Sequence, residues 1–142
     1  MNDPAPAPRL AVDASVVVTL LLDPGPAGDA VAARLRECDL HAPELMCFEA
    51  ANVIRRRWSA GLVTLGAAER ALDGLRALPV SLWPYEPIAS LMWTRRGALS
   101  AYDAAYVAVA DLLDCPLLTA DAKLAAAPGL DIALELAQNP AP

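Results

Sequence analysis

"SAYDAAYVAVADLLDCPLLTADAKLAAA", residues 100–127, is the stretch on which the fold turns. Ser100 is a helix-starting residue, and the alanine, valine and leucine that follow carry no Gly or Pro, which predicts a helix over 100–114. "PLLTA" (116–120) is an apolar run of strand length, and "DAKLAAA" (121–127) returns to helical composition. A helix, a short buried strand and a second helix in succession belong to a parallel sheet covered by helices. Acids mark both junctions: Asp103 in the first helical turn, Asp121 directly after the strand.

The same alternation extends outward. "RLAVD" (9–13) reads as a strand, "ASVVVTLLL" (14–22) as a helix and "DPGPAG" (23–28) as a turn. A helix is predicted over 27–37, a strand at 39–43, a helix over 43–61 that opens on Pro43 and stops at Gly61, and a further helix at 64–78. "PVSLWP" (79–84) is a strand between prolines, 87–97 a helix, and "LDIALELA" (130–137) a last strand. No internal repeat or linker divides the chain. One domain is expected over 9–137, between proline-rich tails at 1–8 and 138–142 expected to be disordered. In an open sheet of this kind, sites form beyond the carboxyl ends of the strands where strand order reverses. Asp13 and Asp121 both fall on that edge.

Composition narrows the chemistry. The 142 residues suit a single core. The apolar run "VVVTLLL" (16–22) is too short for a membrane span, and no signal-peptide pattern opens the chain, so a cytoplasmic protein is expected. Cys38, Cys47 and Cys115 are scattered and odd in number, which favours free buried thiols over a disulfide or zinc site. His41 is the sole histidine, which excludes paired-histidine metal or acid–base chemistry. No nucleophile elbow or phosphate-binding glycine loop is present. Carboxylates must do the work. A net charge of −6 argues against broad, sequence-blind nucleic-acid binding.

Four acids stand out, each with an ordinary structural reading beside the functional one. Asp13 caps the following helix, unless Ser15 takes that role and leaves it free. Asp103 belongs to a capping-box pattern headed by Ser100. Asp121 or Thr119 caps the short helix after the strand. Glu49 differs: it lies mid-helix on the stripe shared with Leu45, Met46 and Val53 and continued by Asn52 and Arg56. A core-facing carboxylate requires a partner, either an internal one such as Arg56 or a cation. If the four converge they repel one another until a cation neutralises them. All-oxygen donors favour Mg²⁺ or Mn²⁺ over zinc.

The motifs "VDASVVV" (12–18), "PELMCFEAANVIRR" (43–56), "LSAYDAAYVAVA" (99–110) and "LLTADAKLA" (117–125) together resemble the PIN-domain ribonucleases, specifically VapC-type toxins of toxin–antitoxin pairs. The motifs stand in family order and cover most of the chain. The resemblance implies an α/β/α sandwich around a mainly parallel sheet. Its acidic pocket would be Asp13, Glu49, Asp103 and Asp121, acting as metal ligands and catalytic groups around Mg²⁺ or Mn²⁺. Thr119 matches the hydroxyl that precedes the last acid, there to steady Asp121 or a metal-bound water. The resemblance also implies a homodimer, and a cognate antitoxin whose C-terminal segment blocks the pocket. Arg95 and Arg96, just before the Asp103 helix, are candidates for guiding RNA, with a solvated helix face as the plain reading. Arg55, Arg56 and Arg57 are better explained by the dipole of the helix they end.

Two other phosphotransfer folds fail on their motifs. A haloacid-dehalogenase phosphatase needs D-x-D after the first strand, where Ser15 stands here; a receiver domain needs a lysine at a late strand end, whereas Lys123 falls inside a helix. The non-enzymatic alternative is a PIN-like module that binds RNA or protein without cutting, and loss of a pocket acid would favour it. All four are present.

Overall fold

The computed structural model describes residues 3–137, in which seven helices alternate with five strands. The order is β1 (Arg9–Val12), α1 (Ala14–Leu22), α2 (Pro26–Leu35), β2 (Asp39–Pro43), α3 (Leu45–Ser59), α4 (Leu65–Ala77), β3 (Val80–Trp83), α5 (Tyr85–Trp93), α6 (Ala101–Leu113), β4 (Leu117–Thr119), α7 (Ala122–Ala125) and β5 (Leu134–Leu136). The strands form one sheet in the order β3-β2-β1-β4-β5, every pair parallel. Helices α1 to α4 pack as one group and α5 with α6 as another. Parallel connections of this kind are right-handed as a rule, so the reversal of strand order puts the two groups on opposite faces of a three-layer α/β/α sandwich.

The chain leaves β1 outward through β2 to β3, then returns past β1 to lay down β4 and β5. Strand order therefore reverses between β1 and β4, opening a crevice at their carboxyl ends. Both strands are buried on either face: adjacent residues Leu10, Ala11 and Val12 of β1, and Leu117 and Leu118 of β4, are all buried. Helix α6 is buried from Ala104 through Ala110 without a break. Its alanines and valines are small enough to lie close against β1, β2 and β4, which explains a helix apolar on all sides in mid-span.

Several boundaries differ from the sequence expectation, each for a local reason. Pro43 ends β2 rather than opening α3; it pairs with Trp83 beyond the last β1 partner, His41, where a strand tolerates proline. Helix α5 starts at Tyr85 and keeps Pro87 within its first turn, where a missing N–H costs nothing. It ends at Trp93 because the Thr94 hydroxyl and the Arg95 guanidinium both donate to the Leu91 carbonyl (2.7 and 3.0 Å). β5 is confined to 134–136 because β4 offers only Leu117–Thr119 to pair with, and Gly129 (φ 74°) turns the chain before it.

All three cysteines are free, but only Cys115 is buried; Cys38 and Cys47 are half-buried. Residues 3–8 carry no regular secondary structure and are exposed, while the expectation for 1–2 and 138–142 lies outside the described residues. Among the described residues no helix is long and apolar enough to cross a membrane.

Candidate active site

One cleft of about 720 Å³ opens at the β1–β4 reversal, and Asp13, Glu49, Asp103 and Asp121 all line it. They arrive from four separate places: the end of β1, the second turn of α3, the first turn of α6 and the start of α7. Capping and pocket lining turn out to be compatible. Asp13 is the N-cap of α1, its Oδ1 accepting from the Val16 N–H (3.1 Å). Ser15 does not replace it; the Ser15 hydroxyl donates to Asp13 Oδ1 (2.5 Å) and accepts from the Ala120 N–H (2.9 Å). Asp121 caps α7, accepting from Lys123 and Leu124 N–H. Ser100 caps α6 through the Asp103 N–H (3.2 Å), as the capping-box pattern requires. For Asp13 and Asp103, at the starts of full-length helices, the positive end of the helix dipole offsets part of the mutual repulsion.

Thr119 sits between two of the acids. It is fully buried, donates to Asp13 Oδ2 and accepts from the Asp121 N–H (3.0 Å). Its work is to orient Asp13 and tie down the backbone of Asp121, since it does not reach the cleft surface where a water would lie. Glu49 is half-buried rather than core-facing, and its partner is not Arg56. Tyr106, one α6 turn beyond Asp103, donates its hydroxyl to Glu49 Oε2 (2.6 Å). Burial, then that bond and the Glu49 charge, push the Tyr106 hydroxyl far above its ordinary pKa, so it stays a donor. Sequence reading missed Tyr106; the available signal was a tyrosine on a buried helix face, which needs a hydrogen-bond partner for its hydroxyl.

The arginines fall out differently from expectation. Arg95 and Arg96 do not line the cleft. Arg95 is tied to Asp111 (2.8 Å), and Arg96 lies over the Trp93 ring at 5.1 Å. Arg56 and Arg57, better explained above by the α3 dipole than by substrate contact, do line it, with Asn52, Thr19 and Asp23. Asn52 sits on the rim and accepts from Arg55 (3.1 and 3.2 Å).

The PIN domain family model matches residues 10–130. The chain belongs to the PIN-domain family. Within that family it is similar to ribonuclease VapC1 of Mycobacterium tuberculosis, 37% identical over 126 residues that cover 88% of this chain and 95% of the relative. Ribonuclease VapC9 of the same organism is 42% identical over 117 residues, covering 81% and 87%. Among solved structures, PAE2754 from Pyrobaculum aerophilum superposes with a TM-score of 0.62 at 26% identity, covering 90% of this chain and 83% of that one. VapBC2 from Rickettsia felis, bound to a DNA fragment from its promoter, gives a TM-score of 0.60 at 11% identity over 90% and 98%, a likeness of fold.

The electrostatics of this PIN-domain cleft are those of crowded, partly desolvated carboxylates. Burial raises the Asp13 carboxyl above its ordinary range against the pull of the Ser15 and Thr119 hydroxyls and the Val16 N–H, and the Asp121 charge adds to the rise. Asp103 is raised by burial and then by Asp121, with Ser100 opposing. Neither histidine nor cysteine lines the cleft, so its donors are oxygens, the set a hard divalent ion prefers. Among the described residues no three acids are already drawn into one ligand group, so an ion would have to gather side chains that now stand apart. Glu49 and Asp103 are half-buried and Asp121 is exposed, which leaves them room to do so.

Proposed function

We propose that the protein is an endoribonuclease toxin of the VapC type, which hydrolyses RNA phosphodiester bonds in the cytoplasm with Mg²⁺ or Mn²⁺ held by Asp13, Glu49, Asp103 and Asp121. The observation that carries this reading is the convergence of those four carboxylates, from four elements, in one cleft at the strand-order reversal of a PIN domain whose relatives are VapC ribonucleases.

When bound, the ion would acidify a water and neutralise phosphate charge. The protein's own part is positional. Asp13 is held by three donors and presents a fixed carboxylate at the floor of the cleft. Glu49 has Oε2 pinned by Tyr106, which sets the direction of Oε1. Asp121 uses Oδ1 to cap α7 and has Oδ2 to offer. A carboxylate so placed can orient a water for in-line attack on phosphorus, and Asp103 or Asp121 stands on the exposed side to accept its proton.

Two partners belong to this reading: a cognate antitoxin whose C-terminal segment blocks the cleft, and a second copy of the chain. A groove of about 390 Å³ lined by Leu45, Phe48, Trp83, Tyr85, Met92 and Tyr102 supports the homodimer, since Phe48, Tyr85 and Tyr102 are exposed aromatics in one patch. The test of the activity is purified protein with total cellular RNA in Mg²⁺, in Mn²⁺ and in chelator, followed by end mapping. Discrete cuts that require the ion are expected. Intact RNA under all three conditions, with RNA still bound, would establish the non-catalytic module instead.

A further inference from the structure

The cleft is chemically two-ended. Glu49, Asn52, Val53, Arg56 and Arg57 all line it from α3, at spacings of three, four, seven and eight residues from Glu49, so they form one stripe along the helix. Seven residues of helix rise about 10 Å, which separates the guanidinium end from the carboxylate end by about two turns. A helix dipole explains why arginines finish α3, but not why two of them face an acidic cleft.

Cations elsewhere are otherwise engaged or otherwise placed. Arg34 is paired with Glu135 and Arg95 with Asp111; Arg55 donates to Asn52 and Arg96 lies on Trp93. Among the described residues that line the cleft, Arg56 and Arg57 are the only cations; both are exposed and neither has an ion pair. Asp23, the fifth acid in the lining, has its Oδ1 taken by the Gly25 N–H (2.7 Å) and forms no ion pair with either arginine. For a chain of net charge −6 to draw a polyanion into a cleft with five acids, it requires fixed cations at the cleft itself.

We propose that Arg56 and Arg57 form a backbone-phosphate subsite for single-stranded RNA. The strand then lies along α3, with the scissile phosphate over the carboxylates and a flanking phosphate on the two guanidiniums. This rests on the ribonuclease reading for its substrate. It adds that affinity comes from a phosphate remote from the bond cut, so very short RNAs are bound poorly however well the acids are arranged. Arginine suits the role because its planar fork meets two phosphate oxygens at once.

The test is binding of a fluorescent single-stranded RNA oligonucleotide by anisotropy across a salt series, in an Asp103→Asn background that prevents cleavage. Arg56→Gln/Arg57→Gln is compared with Arg36→Gln/Arg76→Gln, a pair of the same charge change on α4 and at the end of α2, outside the cleft lining. For the cleft pair, Kd should rise about tenfold and the salt slope shrink by about 0.7, the value for one single-strand phosphate contact. Arg56→Lys/Arg57→Lys should recover most of the slope, with melting temperatures alike throughout. In the Asp103-containing protein, the glutamine pair should raise KM on the oligonucleotide far more than KM on a dinucleotide. Equal slopes for the cleft pair and the control pair would overturn the subsite. Absence of cleavage by the wild type, with the slope difference intact, would overturn the ribonuclease reading and leave the subsite standing.

Discussion

Thr119→Val tests whether the ionised Asp13 depends on its scaffold. The two side chains are nearly the same shape, and Thr119 is fully buried, so the substitution removes a hydroxyl and little else. That hydroxyl makes two hydrogen bonds, to Asp13 Oδ2 and from the Asp121 N–H. A bond to a buried charge contributes about 1.5–3 kcal/mol, and a backbone N–H able to turn to water loses about 0.5–1 kcal/mol. The sum is about 2–4 kcal/mol, which for a domain of this size lowers the melting temperature by roughly 6–15 °C. Thr119→Ser keeps both bonds and gives up one methyl, so its deficit should be near 1 kcal/mol. The sign of the pH dependence follows from Asp13. Its folded-state pKa lies above the unfolded value, so its ionised form costs stability; that cost is complete above the folded pKa and fades as pH falls toward the unfolded value. Thr119 lessens the cost, so the Val variant's deficit should narrow in acid, where Asp13 is protonated. Thermal melts of the three proteins between pH 4 and pH 8, in the pH unit steps such a titration requires, decide it. A Val variant within about 2 °C of wild type, or a deficit flat with pH, would refute this account of Asp13.

Other outcomes follow from the same geometry. Gly28→Ala should destabilise by about 3 kcal/mol or more in denaturant melts, since a Cβ there would lie 1.9 Å from the Asp23 carbonyl oxygen, a backbone atom with nowhere to retreat. Asp114→Gly should stabilise the fold slightly, by up to about 1 kcal/mol in denaturant melts, because Asp114 closes α6 at φ 49° in the left-handed region. Arg34 holds the Glu135 carboxyl below its ordinary range, so its contribution is present above the unfolded pKa and lost as pH falls through the folded one; Glu135→Gln should flatten that acid limb of the stability curve. Mn²⁺ should raise the wild-type melting temperature by mass action and raise that of Glu49→Gln less.

The α/β alternation was legible because apolar runs of strand and helix length are separated by Gly, Pro and helix-starting residues, as at 23–28 and 79–84. Asp13 and Asp121 could be placed because any acid that directly follows a parallel strand lies on the carboxyl edge of the sheet. Side-chain partners were not legible. Glu49 and Tyr106 are 57 residues apart and meet only because α3 and α6 both reach over that edge, a fact of tertiary packing with no local signature. The arginines show the same limit. Nearness in sequence to Asp103 pointed to Arg95 and Arg96, yet the chain turns between α5 and α6 and directs Arg95 to Asp111. Helical periodicity did carry the Glu49 stripe on to Arg56, but a stripe alone does not tell a cleft wall from a core face. The length of β5 depends on how much of β4 is available to pair, which the sequence of β5 itself does not contain.

On the ribonuclease reading, acids at helix starts serve chemistry as well as capping, and α6 separates the two roles within one turn. Ser100 supplies the cap, while Asp103 supplies a carboxylate raised by burial and by Asp121, whose ionised form therefore costs stability above its folded pKa. The decisive measurement is the single-turnover rate of Mn²⁺-dependent cleavage of one defined RNA by Asp103→Asn and by Ser100→Ala, each paired with its thermal melt. Asp103→Asn should lose cleavage by about a hundredfold or more while remaining at least as stable as wild type without metal. Ser100→Ala should lose about 1 kcal/mol of stability and keep most of the rate. Equal rates and equal melts for the two variants would mean that Asp103 is a capping residue only, and that the cleft's four carboxylates do not act together.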